Sequence, residues 1–285
     1  MTNIKTYSQF VIKILLVIIF TTFSITYANP SKSIFFTDEG HGTPLVLIHA
    51  FPTDQRLWAS QQEGLIKYFR VITLDLWGFG HSSASDGDAI TMTEYADEVK
   101  EVLDKLQIQK AIIVGESMGG YIALAFVKHN PDRVQGLILS DTQSIADSVE
   151  AKAKREKTAQ DVLANGSAQF IRDFMPKALS ANASDETRAD LKNILDSQAV
   201  TGIASALRGM ALREDTTSVL GKINFPVLIM TGENDALISP VQSQNMCAVV
   251  KGCKLVVIAD AGHLSSLEQP EKWNQAVIDS FIMRK

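Results

Sequence analysis

The sequence contains little of what marks a basic or a heavily cross-linked protein. It has 27 Lys and Arg against 32 Asp and Glu, so its formal net charge is -5. Proteins that bind nucleic acid usually carry a basic stripe or patch, and this balance gives no support for that class. Only two of the 285 residues are cysteine. A chain of this length can bury a substantial core, so neither disulfides nor metal ions are needed for its stability.

The N-terminal segment differs in kind from the rest of the chain. Lys5 and Lys13 precede an apolar run over 14–20, and Ala28 supplies a small residue where a signal peptidase would cut. This order is typical of a signal peptide, and the run is too short to span a bilayer comfortably. We predict a cleaved signal peptide over 1–28, a periplasmic or secreted protein, and no stable membrane anchor after cleavage.

The two cysteines are close together in the sequence. Cys247 and Cys253 are six positions apart, and in the oxidising setting of an exported protein a disulfide can form and persist. We therefore predict a Cys247–Cys253 disulfide, with two unpaired buried thiols as the alternative.

Short apolar runs rich in branched residues alternate with helical patterns after the N-terminal segment. The predicted strands are 45–48, 71–74, 111–114, 134–139, 227–230 and 255–258. The predicted helices include 92–106, 118–128, 241–250 and 271–282. Nearly continuous apolar strands are typical of a parallel sheet buried on both faces, and alternation with helices predicts an α/β fold.

One long stretch, 144–220, lacks any buried-strand pattern. It is rich in Ala, Lys, Asp and Glu, and its apolar residues Phe170, Ile171 and Phe174 recur at helical spacing. We predict a helical cap over one end of the sheet, with 29–143 and 221–285 forming the α/β core. The alternative is a run of surface helices without a role in the site.

A glycine-rich turn follows the third predicted strand. Gly115, Glu116, Ser117, Met118 and Gly119 form a G-x-S-x-G motif that opens a predicted helix. Between a strand and a helix, this motif is typical of a sharp turn that exposes a nucleophilic serine. The N-terminal end of the helix also favours the negative charge that develops in acyl transfer. Ser117 is therefore the predicted nucleophile.

A serine hydroxyl needs a base, and the base needs an orienting acid. His263 lies in a loop after the last predicted strand, whereas His129 lies on the helix of the nucleophile itself and cannot readily fold back. Asp235 follows the strand 227–230 and is the preferred acid. Asp141, which also lies just past a strand, is the rival candidate.

These motifs resemble the α/β-hydrolase superfamily over essentially all of the chain after the predicted signal. The nucleophile, acid and histidine occur in the chain order of that family. Further matching segments are His49-Ala50-Phe51-Pro52, the run Asp75 to Ser82, and Gly262-His263 with Glu268 and Pro270. The cap and the chain length resemble serine carboxylesterases and enol-lactone hydrolases.

The resemblance also implies where an oxyanion would be bound. The backbone N–H groups of Phe51 and Met118 would donate to it. Ala50 departs from the glycine usual at its position, and we expect strain there if its φ is positive. Trp77 is also unusual, and it either lines the pocket or packs against the core. No metal or cofactor is expected.

Five further side chains have predicted structural roles. Asp75 and Ser82 would hold a loop through side-chain-to-backbone hydrogen bonds, and Glu268 would hold the loop of His263. Arg213 and Asp215 resemble the end of the cap in small esterases and lactonases, and an ion pair is expected there.

Three functions compete at this point. The leading hypothesis is hydrolysis of a small-molecule carboxylic ester or lactone through an acyl-enzyme on Ser117. A cofactor-free haloperoxidase or perhydrolase would use the same three residues. A non-catalytic protein that binds a small ligand under the cap is the third. Dehalogenases and epoxide hydrolases are disfavoured because they carry aspartate where Ser117 stands. The oligomeric state cannot be predicted.

Overall fold

The computed structural model describes residues 32–282, so the predicted signal peptide over 1–28 lies outside the described residues. A seven-stranded sheet has the order β1-β3-β2-β4-β5-β6-β7. Strand β1 is antiparallel to β3, and every other neighbouring pair is parallel. The strands are β1 Phe36–Gly40, β2 Pro44–Ile48, β3 Arg70–Leu74, β4 Ala111–Glu116, β5 Val134–Ser140, β6 Val227–Gly232 and β7 Lys254–Ile258.

Eleven helices accompany the sheet in the described part of the chain. They are α1 Ala59–Leu65, α2 Met92–Lys105, α3 Met118–His129, α4 Val149–Asn165, α5 Ala168–Ala178, α6 Asp185–Asp196, α7 Val200–Ala211, α8 Thr217–Leu220, α9 Pro240–Val249, α10 Ser265–Glu268 and α11 Pro270–Phe281. The buried side chains form two apolar clusters, one containing residues of α2, α3 and α9, the other residues of α1 and α11. Helices therefore cover both faces of the sheet, which confirms the predicted α/β-hydrolase fold.

The pattern of the sequence explains most of these elements. The central strand β4 is buried along its whole length, as its unbroken apolar run predicts. Helix α2 begins at a capping box in which the Thr91 side chain accepts from the Glu94 amide, and the Glu94 carboxylate accepts from the Thr91 amide. Strand β1 is not predicted from the residue pattern, because this edge strand is polar, partly exposed and paired on one side only.

Helices α4 to α8 occupy the long segment between β5 and β6. Helix α4 packs on α7, and α5 packs on α6. The predicted residues Phe170, Ile171 and Phe174 all lie on α5. Glycine at position 202 permits close contact between this segment and the core, since a Cβ there would lie 2.0 Å from the Gly78 carbonyl oxygen.

Cys247 at the end of α9 and Cys253 before β7 are joined in a disulfide bond. This bond links two adjoining elements at the β7 edge of the sheet. No helix within residues 32–282 combines the length and the apolar character needed to cross a bilayer.

Candidate active site

Ser117 lies in a strained turn between β4 and α3. Its φ is 53° and its ψ is -114°, a conformation that non-glycine residues rarely adopt and that the surrounding structure must enforce. The flanking glycines are needed for close packing. A Cβ on Gly115 would lie 2.1 Å from the Gly119 carbonyl oxygen, and one on Gly119 would lie 2.1 Å from the Ile48 carbonyl oxygen. The turn therefore holds the serine at the carboxyl end of the central strand.

Ser117, His263 and Asp235 lie in one hydrogen-bonded row. The distance from Ser117 Oγ to His263 Nε2 is 2.8 Å, and that from His263 Nδ1 to Asp235 Oδ2 is 2.8 Å. Asp235 Oδ1 accepts from the backbone amides of Leu237 and Ile238 at 2.8 and 2.9 Å. These two amides fix the carboxylate so that Oδ2 faces the imidazole. The three side chains follow β4, β7 and β6, whose carboxyl ends meet at one edge of the sheet.

The surroundings of His263 favour its protonated form. Burial of the ring opposes a charge there, but the negative charge of Asp235 and its hydrogen bond outweigh burial and raise the pKa of His263 above the usual 6.5. An imidazole that faces a serine hydroxyl on one side and a carboxylate on the other can accept the serine proton and remain stabilised as a cation.

Asp141, the rival acid, does not contact His263. Its Oδ1 accepts from the Gly232 amide at 2.6 Å, and its Oδ2 accepts from the Ser265 hydroxyl at 2.5 Å and from the Ser140 hydroxyl at 2.8 Å. Burial and the nearby charge of Asp235 raise the pKa of Asp141 to about 6. The structure therefore places Asp235, and not Asp141, beside the imidazole.

A second buried carboxyl group belongs to Glu116, which the sequence analysis did not single out as functional. Its side chain accepts from the Ser266 hydroxyl at 2.7 Å and from the Ser266 amide at 3.2 Å. Burial and the negative charge of Asp141 raise the pKa of Glu116 well above its usual value. Glu116 thereby connects the nucleophile turn to the segment that follows His263.

The predicted oxyanion donors are the backbone amides of Met118, directly after Ser117, and of Phe51. Met118 is the first residue of α3, and Phe51 lines the same cavity as Ser117. Within residues 32–282 neither backbone amide has a hydrogen-bond partner. Ala50 is buried and is not among the residues with positive φ. The strain considered for alanine at this position is therefore absent.

Ser117 and His263 open into a cavity of about 1190 Å³. Helices α4 and α5 supply much of its wall, and Leu237 and Ile238 contribute from the loop of Asp235. Polar and charged groups also line it, among them Tyr121, Asp147 and Arg155. The sequence carries no motif that would have placed Asp147 or Arg155 beside the serine.

The structure decides between two interpretations of Trp77 and corrects the predicted partner of Arg213. Trp77 does not line this cavity within the described structure; it is partly buried against the core, and the Tyr95 hydroxyl donates to its carbonyl oxygen. Arg213 does not pair with Asp215 but with Asp147, at 2.7 Å. Asp215 instead accepts from a backbone amide at the start of α8. A carboxylate 66 residues earlier in the chain was not foreseeable from local spacing.

The predicted loop-holding contacts are present. Asp75 accepts from the amides of Gln55 and His81, and the Ser82 hydroxyl donates to the Asp75 carbonyl oxygen. Glu268 accepts from the Gly262 amide at 2.7 Å and from the Ser180 amide, which belongs to the segment between β5 and β6, at 2.9 Å. One carboxylate therefore ties the loop of His263 to that segment. No group of three or more His, Cys, Asp or Glu side chains suited to a metal ion occurs in residues 32–282.

A serine, a histidine and an aspartate hydrogen-bonded in a row at the carboxyl edge of a mostly parallel sheet form the arrangement of an α/β hydrolase. Comparison with known proteins agrees with this class. A family model described as the alpha/beta hydrolase fold matches residues 43–270. The chain belongs to the α/β-hydrolase family.

Among the individual proteins that the chain is similar to are an esterase and an enol-lactonase. A thermophilic esterase from Thermogutta terrifontis, solved with malate bound, has a TM-score of 0.85 and 36% identity over 89% of this chain and 94% of its own. The 3-oxoadipate enol-lactonase 1 of Acinetobacter baylyi is 28% identical over 241 residues, which cover 84% of this chain and 88% of the lactonase.

A third relative is a longer protein. The dihydrolipoyllysine-residue acetyltransferase component of the acetoin cleaving system of Pseudomonas putida is 32% identical over 252 residues, 83% of this chain. The match spans only 63% of that component. The esterase and the enol-lactonase support a hydrolase of the α/β-hydrolase family.

Proposed function

We propose that the protein hydrolyses a carboxylic ester or lactone of a small molecule through an acyl-enzyme on Ser117. The observation that carries the proposal is the hydrogen-bonded row from Ser117 Oγ through His263 to Asp235, with both contacts at 2.8 Å, at the wall of a large cavity. The esterase and the enol-lactonase among the relatives support ester and lactone substrates.

In the proposed reaction Ser117 Oγ attacks the substrate carbonyl carbon while His263 Nε2 takes the hydroxyl proton. The carbonyl oxygen becomes negatively charged and accepts from the amides of Phe51 and Met118. Two such donors typically contribute a few kcal/mol to transition-state stabilisation. The protonated imidazole then gives its proton to the leaving alkoxide, and an ester bond to Ser117 remains.

Water completes the cycle by the same route. His263 Nε2 takes a proton from a water molecule as that water attacks the acyl carbon. The protonated imidazole then gives this proton to Ser117 Oγ as the ester bond to the serine breaks. Asp235 stays ionised and holds the imidazole with Nδ1 protonated, so that Nε2 is free to accept a proton in both halves of the reaction.

Labelling with a fluorophosphonate probe, together with a pH-stat assay on a panel of esters and lactones of graded chain length, tests the proposal. We expect stoichiometric labelling and turnover that Ser117→Ala abolishes. Ser117→Ala protein that retains full turnover would refute the assignment of the nucleophile. A protein that oxidises halide with peroxide and acetate, but leaves every ester intact, would favour the perhydrolase alternative.

We also propose that the protein acts outside the cytoplasm. The signal-like segment over 1–28 and the disulfide between Cys247 and Cys253 support this location, because disulfides persist in oxidising compartments. Cell fractionation with N-terminal sequencing of the mature chain tests the proposal. We expect a new N-terminus after Ala28 in the periplasm or the medium; an intact N-terminus in the cytoplasm would contradict it.

A further inference from the structure

Two arginines pair with one carboxylate at the active-site cavity. Arg155 and Asp147 line its wall, and Arg213, which does not line it, pairs with Asp147. The Asp147 carboxylate accepts a hydrogen bond from Arg155 Nε at 2.5 Å. It also forms an ion pair with Arg213, whose Nη2 lies 2.7 Å away but does not have hydrogen-bond geometry. The side chains of Asp147 and Arg213 are only 6% and 3% exposed, and that of Arg155 is 22% exposed. We call these three residues the Arg–Asp–Arg cluster.

The cluster carries one unit of positive charge in excess. Nearby acidic groups do not supply the missing partner, since Glu214 pairs with Lys128 and Glu156 pairs with Arg208. The charges on Arg155 and Arg213 are permanent at any physiological pH. An excess charge that is largely removed from water is costly unless an anion approaches it.

Some of the hydrogen-bonding capacity of the cluster is free. Arg155 uses Nε and Nη2 on Asp147, whereas its Nη1 meets only the Met210 sulfur, at 3.4 Å. Arg213 Nε has no hydrogen-bond partner in the described structure. The end of the Arg155 guanidinium can therefore still donate to an oxygen of a ligand in the cavity that it lines.

The cluster and the nucleophile share this cavity. Asp147, Arg155 and Ser117 all line it, and so does Tyr121, whose ring lies 4.3 Å from the Arg213 guanidinium carbon. Tyr121 follows Ser117 by one turn of α3, about 6 Å along the helix axis. Asp147 and Arg155 of the cluster therefore line one cavity with the serine, which suits a substrate with a short chain between its reacting carbonyl and a charged group.

The remaining charges of the cavity do not reverse this excess. Its wall also carries Lys154, Arg172 and Lys177, against two further carboxylates, Asp161 and Asp173. Asp161 is six residues beyond Arg155 on α4, about 9 Å along the axis, so it does not compete directly at the Arg155 guanidinium. Over the whole wall, four positive side chains (Lys154, Arg155, Arg172 and Lys177) stand against three carboxylates (Asp147, Asp161 and Asp173), an excess of one positive charge.

We propose that the cavity selects esters or lactones that carry a carboxylate, bound by the Arg155 guanidinium in the Arg–Asp–Arg cluster while Ser117 attacks the ester carbonyl. This inference rests on the proposed function and names the substrate class of the same site. Arginine suits the role because its planar donors match the geometry of a carboxylate.

Pairs of substrates in which a carboxylate replaces a terminal methyl group test the proposal. Monomethyl succinate, glutarate and adipate are compared with methyl butanoate, pentanoate and hexanoate, which have acyl chains of the same length. A second pair, carboxymethyl butanoate and ethyl butanoate, places the charge on the alcohol side. We expect kcat/KM to favour the anion by about tenfold or more in at least one pair, the size of a charged hydrogen bond.

Variants assign the effect to the cluster. Arg155→Met should abolish the anion preference, whereas Arg208→Met, which removes an arginine paired with Glu156, should retain the preference. Asp147→Asn should increase it, because the only carboxylate of the cluster is gone. Glutarate should inhibit hydrolysis of methyl pentanoate by the unmodified protein more strongly than pentanoate does, and added salt should weaken that inhibition.

The outcomes separate this inference from the proposed function. Ser117-dependent turnover of the neutral esters, without anion preference in any pair, would overturn the inference and leave the hydrolase intact. A preference that survives Arg155→Met, or falls in Asp147→Asn, would also overturn it. Absence of both fluorophosphonate labelling and ester turnover would instead refute the proposed function.

Discussion

Replacement of Asp235 and Asp141 by asparagine distinguishes the acid of the site from its neighbour. At Asp235 the direction of the new side chain follows from the backbone, because the amides of Leu237 and Ile238 both donate to Oδ1. Only the oxygen of asparagine can accept from them. The NH₂ group must then occupy the position of Oδ2, 2.8 Å from His263 Nδ1.

This geometry forces the wrong tautomer on His263. An NH₂ group beside Nδ1 requires that nitrogen to accept, so the ring proton moves to Nε2, which can no longer take a proton from Ser117. The corresponding change in the serine protease triad lowers kcat about 10⁴-fold, equivalent to about 5 kcal/mol of barrier. We expect a loss of this order for Asp235→Asn, measured as kcat on the best ester of the panel.

The same substitution at Asp141 should cost little. Its asparagine oxygen can keep the bond from the Gly232 amide, and the hydroxyls of Ser140 and Ser265 can turn to accept from the new NH₂ group. We expect kcat within about tenfold of the unmodified protein. Equal losses in the two variants, or an Asp235→Asn protein with more than a tenth of normal kcat, would refute the reasoning.

Three other predictions follow from the structure. Because the pKa of His263 lies above 6.5 and only the neutral ring accepts a proton, kcat/KM should rise with pH through an inflection above 6.5; a flat profile between pH 5 and 8 would contradict this. Ala50→Gly should lower the free energy of unfolding in urea by about 1 kcal/mol without raising kcat; a threefold gain in kcat would indicate strain at the alanine. Joint replacement of Cys247 and Cys253 by serine should lower the free energy of unfolding by about 2 kcal/mol, and reduction of the unmodified protein, as the control, should lower it by a similar amount. If neither sample is less stable than the oxidised protein, the disulfide is not formed.

The local residue pattern was sufficient for much of the core. In a chain where apolar runs alternate with helical patterns, an unbroken apolar run such as 111–114 predicts a strand that is buried on both faces of a sheet. The two glycines of the motif likewise predict the sharp turn at Ser117, because a Cβ at Gly115 or Gly119 would overlap a backbone oxygen. Strand β1 shows the limit of this approach, since an edge strand with a polar sequence carries no periodic pattern to detect.

Tertiary structure decided how distant residues pair. Chain order brought Ser117, Asp235 and His263 together as candidates, but it left Asp141 as a rival. The choice depends on which carboxylate oxygen lies 2.8 Å from the imidazole, a distance set by the packing of β5, β6 and β7. Trp77 likewise had two interpretations until its surroundings were known.

The sequence by itself determined the fold class and the position of the sharp turn that carries Ser117, because these follow from the glycine-rich turn motif and the runs of apolar residues in the strands. Only the tertiary structure decided the character of the cavity. Asp147, Arg155 and Arg213 span 66 residues, and their charges meet because α4 packs on α7. Electrostatic interactions depend on distance in space, so no local pattern could have placed that excess positive charge at the cavity of Ser117.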